Sequence, residues 1–566
     1  MKFGDMQYQR PDFEAAKREI EELTGRLSAA KSFEEADGVF LEMNALSSKL
    51  ETMFSIVYVR HSIDTADAFY DSEMNYLDEQ NPLLQEYSQK WTNALLASPF
   101  RAQFEERYGR LMFVNAEMSL KTFSPEIIGE LQQESRVEAD YVKLIASAQI
   151  QFEGRTYTIS QLSPLKQDAD DSRRRAAWDA EGGFYSENGE KLDQYYDELV
   201  KLRDGMAKKL GYENYITLGY YRMIRNSYTQ EDVERFREAV VKYVVPIADR
   251  IYRQQAERTG ASYPLSFADA ALMFRSGNAK PQGAPEDILA HGKRFYHELS
   301  PETAEFIDFM YDNELLDVLS RKGKAAGGYC TSLPDYRAPF IFANFNGTSH
   351  DVEVITHEAG HAFAGYVARD IVPLENQSPT LESCEIHSMS MEFFAWPWEE
   401  GFFGKDTDKF YYSHLAGALT FIPYGTMVDH FQHIIYEKPQ LTPEERHGVW
   451  RELLGVYMPW MKLGADPFYG EGRGWQRQTH IYRRPFYYID YCLAQTVALQ
   501  FWALMMKDRG EAWQAYMKLV RLAGTRTFTE LVAAAGLDTP FGDGALGTVC
   551  AAANEWLDGF DAEKLR

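Results

Sequence analysis

The 566-residue sequence carries 59 Lys+Arg against 85 Asp+Glu, a formal charge of −26, with hydrophobic residues at 45% and aromatics at 14%. A surplus of that sign repels nucleic acid and anionic lipid, and so much apolar material excludes a disordered chain. At about 150 residues per domain the length allows three or four domains, and 35 Tyr and 35 Phe leave rings to spare for lining a cleft.

The N-terminal stretch MKFGDMQYQRPDFEAAKREIEEL is charged from its second residue onward and lacks the apolar run of about 7–15 residues that a secretory signal needs. No segment reaches the roughly 18 uninterrupted apolar residues of a membrane span. A cytoplasmic protein without nucleic-acid or membrane partners is therefore expected. Cys330, Cys384, Cys492 and Cys550 show no CxxC spacing, so reduced thiols are expected in place of a disulfide framework. Oligomeric state has no signature in the sequence.

From about residue 11 to 142, apolar residues recur at helical spacing, as in Leu84, Tyr87, Trp91, Leu95 and Leu96. Alternation around Gly154 predicts a short hairpin over 150–160, which closes an N-terminal helical domain of residues 1–165. Residues 166–566 form the second domain, with amphipathic runs over 192–210 and 231–258 and a Gly/Pro-containing loop near 278–285. Two β-prone segments, 327–331 and 339–345, predict a small antiparallel sheet. Thr348 and Asp351 then fit a capping box, and DVEVITHEAGHAFAGYVARD continues as a helix. After Pro373, a second helix begins near Ser378 or Thr380 and runs to Pro397.

His357 and His361 stand at i and i+4 on the first of these helices, so two imidazoles can grip one ion while the adjacent Glu358 reaches its open side. With 12 His in the chain, the expected number of chance His-Glu-x-x-His matches is on the order of a few hundredths. A catalytic zinc needs a third protein ligand. Ala364 and Val367 occupy the places where a third-histidine motif would have Gly and His. A carboxylate from the second helix remains, and Glu382, Glu385, Met389 and Glu392 share one of its faces. Spacing alone leaves Glu382 and Glu385 as alternatives, with a neighbouring carboxylate orienting a histidine. His430 and His433, three apart in DHFQHIIYE, have no third ligand nearby, and the glycines at 470, 472 and 474 lack the strand and Lys-Ser/Thr of a phosphate cradle.

The run Phe342-Ala343-Asn344-Phe345, Asp351-Val352, His357-Glu358-Ala359-Gly360-His361-Ala362, followed by Glu385-Ile386-His387-Ser388-Met389-Ser390-Met391-Glu392-Phe393, resembles the thimet oligopeptidase and oligoendopeptidase F family of zinc peptidases, in particular the bacterial Pz peptidases. The resemblance implies a mainly α, two-lobed helical clam with a deep substrate channel and a small sheet beside the zinc-binding helix. It implies one Zn²⁺ per chain, Glu385 as third ligand and Glu392 as its supporting residue. Ile386-His387-Ser388 departs from the family's usual Ala-Pro-Ser. A Gly-rich loop, a His and a Tyr-x-x-Tyr pair follow in the family's order, matching the Gly472 region, His480, Tyr488 and Tyr491, while Arg484 stands where the family has a further Tyr.

The expected activity is endopeptidase cleavage of internal bonds in short oligopeptides, with Zn²⁺ lowering the pKa of its water toward about 7 and Glu358 as general base. Tyr491, helped by Tyr488 or His480, would donate to the oxyanion, a contact worth about 3 kcal/mol of barrier. Asp351 caps the helix or supports a ligand, and a β-prone segment offers an edge for an extended peptide. The alternatives are a zinc carboxypeptidase or dipeptidyl carboxypeptidase, favoured by a cation placed to hold a C-terminal carboxylate, and a peptide-binding protein without activity, disfavoured by intact Glu358.

Overall fold

The computed structural model describes residues 1–565 except 322, 326, 465 and 543. Three helices open the chain: α1 (Phe13–Ala29), α2 (Phe33–Ile63) and α3 (Ala68–Leu96). Each starts where a short polar side chain satisfies free N–H groups. Asp12 accepts from the Ala15 N–H at 2.9 Å, Ser32 from Glu35 at 3.2 Å, and Asp67 from Phe69 and Tyr70. Their apolar stripes meet in a core of their own, with Ile20, Leu23, Phe40 and Trp91 buried. Such side chains contribute about 1.5–3 kcal/mol each on burial. Helix α4 (Ile128–Ala146) sends Val137 and Tyr141 into the second and larger core, where Tyr141 stacks on Tyr482 with ring centres 3.9 Å apart.

The expected hairpin is present as β1 (Ile150–Phe152) and β2 (Arg155–Tyr157), paired antiparallel. Its two turn residues, Glu153 and Gly154, both take positive φ (49° and 72°), the conformation that matches the twist of the flanking strands.

The second sheet has the order β3 (Leu316–Leu319), β5 (Ala338–Phe345), β4 (Tyr329–Leu333). The β4–β5 pair is antiparallel as expected, but β3 pairs parallel to β5, with Leu316 opposite Ile341, so the sheet is mixed and not simply antiparallel. Four residues directly after a helix leave no room for an alternating pattern, which is why β3 escapes a reading of the sequence.

From β5 the chain turns into the motif helix α5 (His350–Ala368). The capping box does not form. The Thr348 hydroxyl donates to Asn346 Oδ1 at 2.7 Å, and the buried Asp351 carboxylate accepts from the N–H groups of Asn346 (2.8 Å) and Gly347 (2.7 Å). Asp351 thus ties the turn that aims α5, with Gly347 at φ 83°. Helix α5 has two working faces. Val352, Ile355, Ala359, Ala362, Phe363 and Tyr366 are buried at helical spacing, while His357, Glu358, His361, Ala364 and Gly365 line a cavity. Next come α6 (Leu381–Phe394), the long α7 (Thr407–Glu437), the short α8 (Thr479–Arg483) and α9 (Tyr488–Lys507). Helix α6 is sandwiched between α5 and α9. The architecture is mainly α, with a small sheet beside the motif helix and a cleft over its histidines. Among the described residues no helix is long and apolar enough to cross a membrane.

Candidate metal centre and active site

The Nε2 atoms of His357 and His361 lie 3.3 and 3.4 Å from one oxygen of Glu385, Oε2. Among the described residues this is the one group of three or more His, Cys, Asp or Glu whose donor atoms converge as a metal would require. Gly360 makes the approach possible. A Cβ there would sit 2.7 Å from the Ser388 Cα and 2.8 Å from the His387 carbonyl, so α5 and α6 touch backbone to backbone where Glu385 faces the histidines.

Behind the ligating face runs a chain of hydrogen bonds. The Trp396 indole N–H donates to His414 Nδ1 at 2.9 Å, so His414 carries its proton on Nε2 and donates to Glu392 Oε2 at 2.9 Å. The other oxygen, Glu392 Oε1, accepts from His357 Nδ1 at 2.7 Å. This leaves the lone pair of His357 on Nε2, turned toward Glu385. Burial raises the Glu392 carboxyl, but the bonds from His357 and His414 outweigh it and hold the group at about 2, so it stays charged. Two imidazole nitrogens and a carboxylate oxygen, oriented in this way, fit a borderline divalent metal.

Glu358 faces the same cavity, about 370 Å³ in volume, with its Oε1 beside Gly328 at the start of β4. Burial pushes its carboxyl above the usual range, against the pull of His357 and His361. Across the cavity are Tyr487 and Tyr491. The Tyr487 hydroxyl donates to Glu385 Oε1, so both oxygens of that carboxylate have a task. Tyr491 lies 3.5 Å from His480 Nε2. His480 accepts from the Gln478 amide at Nδ1 (2.9 Å), and burial lowers its pKa to about 4, which keeps the ring neutral with its proton on Nε2 toward Tyr491. Tyr488 is set back from the cavity, its ring against Phe421, Tyr424 and His480.

Of the two carboxylates that spacing left open, Glu385 meets the histidines. Glu382 is fully buried on the side of Arg225, away from the two histidines. The Gly-rich loop packs away from the cavity. A Cβ on Gly472 would meet the His447 carbonyl at 2.6 Å. Sequence reasoning missed Tyr487 and His414. Tyr487 had a signal, since it stands four residues before Tyr491 on the same face of the turn into α9. His414 had none, because only the tertiary fold brings α7 against Glu392.

Two family models match the chain, the peptidase M3 N-terminal domain over residues 3–123 and peptidase family M3 over residues 302–548. A solved structure assigned as an oligoendopeptidase F is 44% identical, with 100% of both chains covered and a TM-score of 0.97. The chain belongs to peptidase family M3. A structure of Pz peptidase A with an inhibitor is 45% identical to this M3 peptidase over 99% of its chain and 100% of the other, with a TM-score of 0.97. An assigned oligoendopeptidase F from Bacillus anthracis is 45% identical over 100% and 99%, with a TM-score of 0.93. No curated protein matches the chain.

Proposed function

We propose that this M3 peptidase is a zinc-dependent endopeptidase that cuts internal bonds of short oligopeptides, with residues 166–566 as its catalytic domain. What supports the reading is the convergence of His357, His361 and Glu385 in one cavity with Glu358. These three residues would hold one Zn²⁺, which when bound supplies Lewis acidity to a carbonyl and to water.

The chain's own groups do the rest. Glu358 takes a proton from the attacking water and passes it to the leaving amine. Tyr491 donates its hydroxyl proton toward the developing oxyanion, and His480 Nε2–H orients it. Tyr488 buttresses His480 by ring contact, Glu392 fixes the His357 tautomer, and Asp351 anchors the start of α5. An extended substrate would add to the free edge of β4, whose residues 329–332 line the cavity.

The test combines cleavage with product mapping. Wild-type protein is expected to cut a quenched fluorescent heptapeptide internally, with an upper limit on substrate length. Glu358→Gln should retain zinc and lose activity by about a thousandfold. A Glu358→Gln protein as fast as wild type contradicts the proposal, and so do products shortened only from the C-terminus by one or two residues.

A further inference from the structure

Three arginines line the cavity over the candidate metal centre: Arg337, Arg369 and Arg484. Arg337 pairs with Asp370. Arg369 donates to the Tyr366 carbonyl, lies 3.5 Å above the Tyr366 ring and stands 3.8 Å from Glu305. Arg484 differs from both. It is exposed, its guanidinium carbon lies 5.6 Å from the Tyr487 ring centre, and among the described residues no carboxylate pairs with it. In a chain with 85 acidic side chains against 59 basic ones, a cation turned into the catalytic cavity without an acidic partner is conspicuous.

The backbone that carries Arg484 is pinned on both sides. Its own N–H donates to the His480 carbonyl at 2.9 Å. Two residues on, Phe486 donates its N–H to Gln432 Oε1 at 3.1 Å and accepts from Arg225 at 2.6 Å. Ordering this turn adds nothing to the cost of binding, because the fold has already done it. Arg484 also lines a second cavity of about 360 Å³, with Glu138, Arg222 and Arg483, and so stands where the two cavities meet.

We propose that Arg484 is a specificity-determining residue that holds a carboxylate of the bound peptide, either its C-terminal α-carboxylate or an acidic side chain. The inference rests on the peptidase reading above. A guanidinium presents a planar fork to a carboxylate, and a cavity wall strengthens the pair relative to open water. One aromatic ring, Tyr487, separates Arg484 from Glu385.

The test is a binding measurement that does not depend on turnover. In zinc-loaded Glu358→Gln protein, fluorescence anisotropy compares a peptide bearing a free C-terminus with its amide, and an Asp-containing peptide with its Asn twin scanned across positions. The carboxylate member of one pair is expected to bind about tenfold tighter. Adding Arg484→Gln should bring that ratio to near one, and Arg484→Lys should keep part of it. A preference for the free C-terminus assigns the α-carboxylate, and one for Asp assigns a side chain. With Glu358 intact, Arg484→Gln should raise KM for the carboxylate member of the favoured pair about tenfold, to that of its amide or Asn twin. A ratio of one for both pairs in the Arg484 protein, or a ratio that survives Arg484→Gln, overturns the proposal. Failure of the peptidase reading is a separate result, since it shows in turnover by Glu358→Gln protein and not in these ratios.

Discussion

Two helices of this protein each carry a pair of histidines within about one turn, and the two pairs have opposite fates. On α5, His357 and His361 present their Nε2 atoms to the same Glu385 oxygen, and Glu392 holds His357 from behind. On α7, His430 meets the Tyr457 hydroxyl at 3.0 Å, while His433 uses Nε2 on the Tyr220 hydroxyl (3.0 Å) and Nδ1 on the Asp429 carbonyl (2.9 Å). Every nitrogen of His433 is already satisfied by the chain, so none is left for an ion. A histidine pair becomes a candidate metal centre when a second helix delivers one carboxylate to the open nitrogens and another to the far side of a ring. Spacing starts the site, and packing completes it.

The comparison breaks most visibly at the ligands. His361→Ala or Glu385→Ala should remove the metal and lower peptidase activity on the order of a thousandfold or more. His430→Ala and His433→Ala should leave metal content, read by elemental mass spectrometry, unchanged. A loss of metal from either α7 variant would undo the contrast.

Glycines give the next test. Gly360→Ala pushes a methyl into the α6 backbone and should cost about 1–3 kcal/mol of stability along with metal affinity. Gly417→Ala on α7, with nothing within 4 Å of the new Cβ, should instead stabilise by about 0.5–1 kcal/mol. Thermal denaturation of the two variants in parallel reads both signs.

Glu392→Gln keeps the shape of the side chain and removes its charge, so zinc affinity should fall about 10–100-fold in chelator competition. His414→Phe, one bond further out, should have a smaller effect of the same sign. The smallest effect belongs to the α7 pair. Burial and the nearby Arg237 lower the His430 pKa to about 4, with Asp429 pulling the other way. A group depressed in the folded state stabilises above its unfolded pKa of about 6.5, and that contribution is lost as the pH falls through 6.5 toward 4. Because His430 is partly solvated, the loss should stay under about 2 kcal/mol. Urea unfolding at pH 7 and pH 5 should show a larger drop for wild type than for His430→Gln.

Much of the site could be read from the sequence because its parts are local. The spacing of His357 and His361, the helix-breaking Pro373 and the shared face of Glu382, Glu385 and Glu392 are all one-dimensional patterns. The choice of Glu385 needed the family resemblance or the fold, since both carboxylates lie on one face and only the crossing of α5 over α6 at Gly360 separates them. His414 and Trp396 act through contacts that no periodicity announces. Strand β3 was too short to show an alternation. At Thr348 and Asp351 the pattern was present but the outcome differed, because Asn346 and Gly347 offered those side chains better-placed partners than the helix did.

Anomalous diffraction at the zinc edge from crystals of the zinc-loaded protein tests the metal centre most directly. A single strong peak bounded by His357 Nε2, His361 Nε2 and Glu385 is the expected result. A peak at His430 and His433, or none within reach of Glu385, would contradict it.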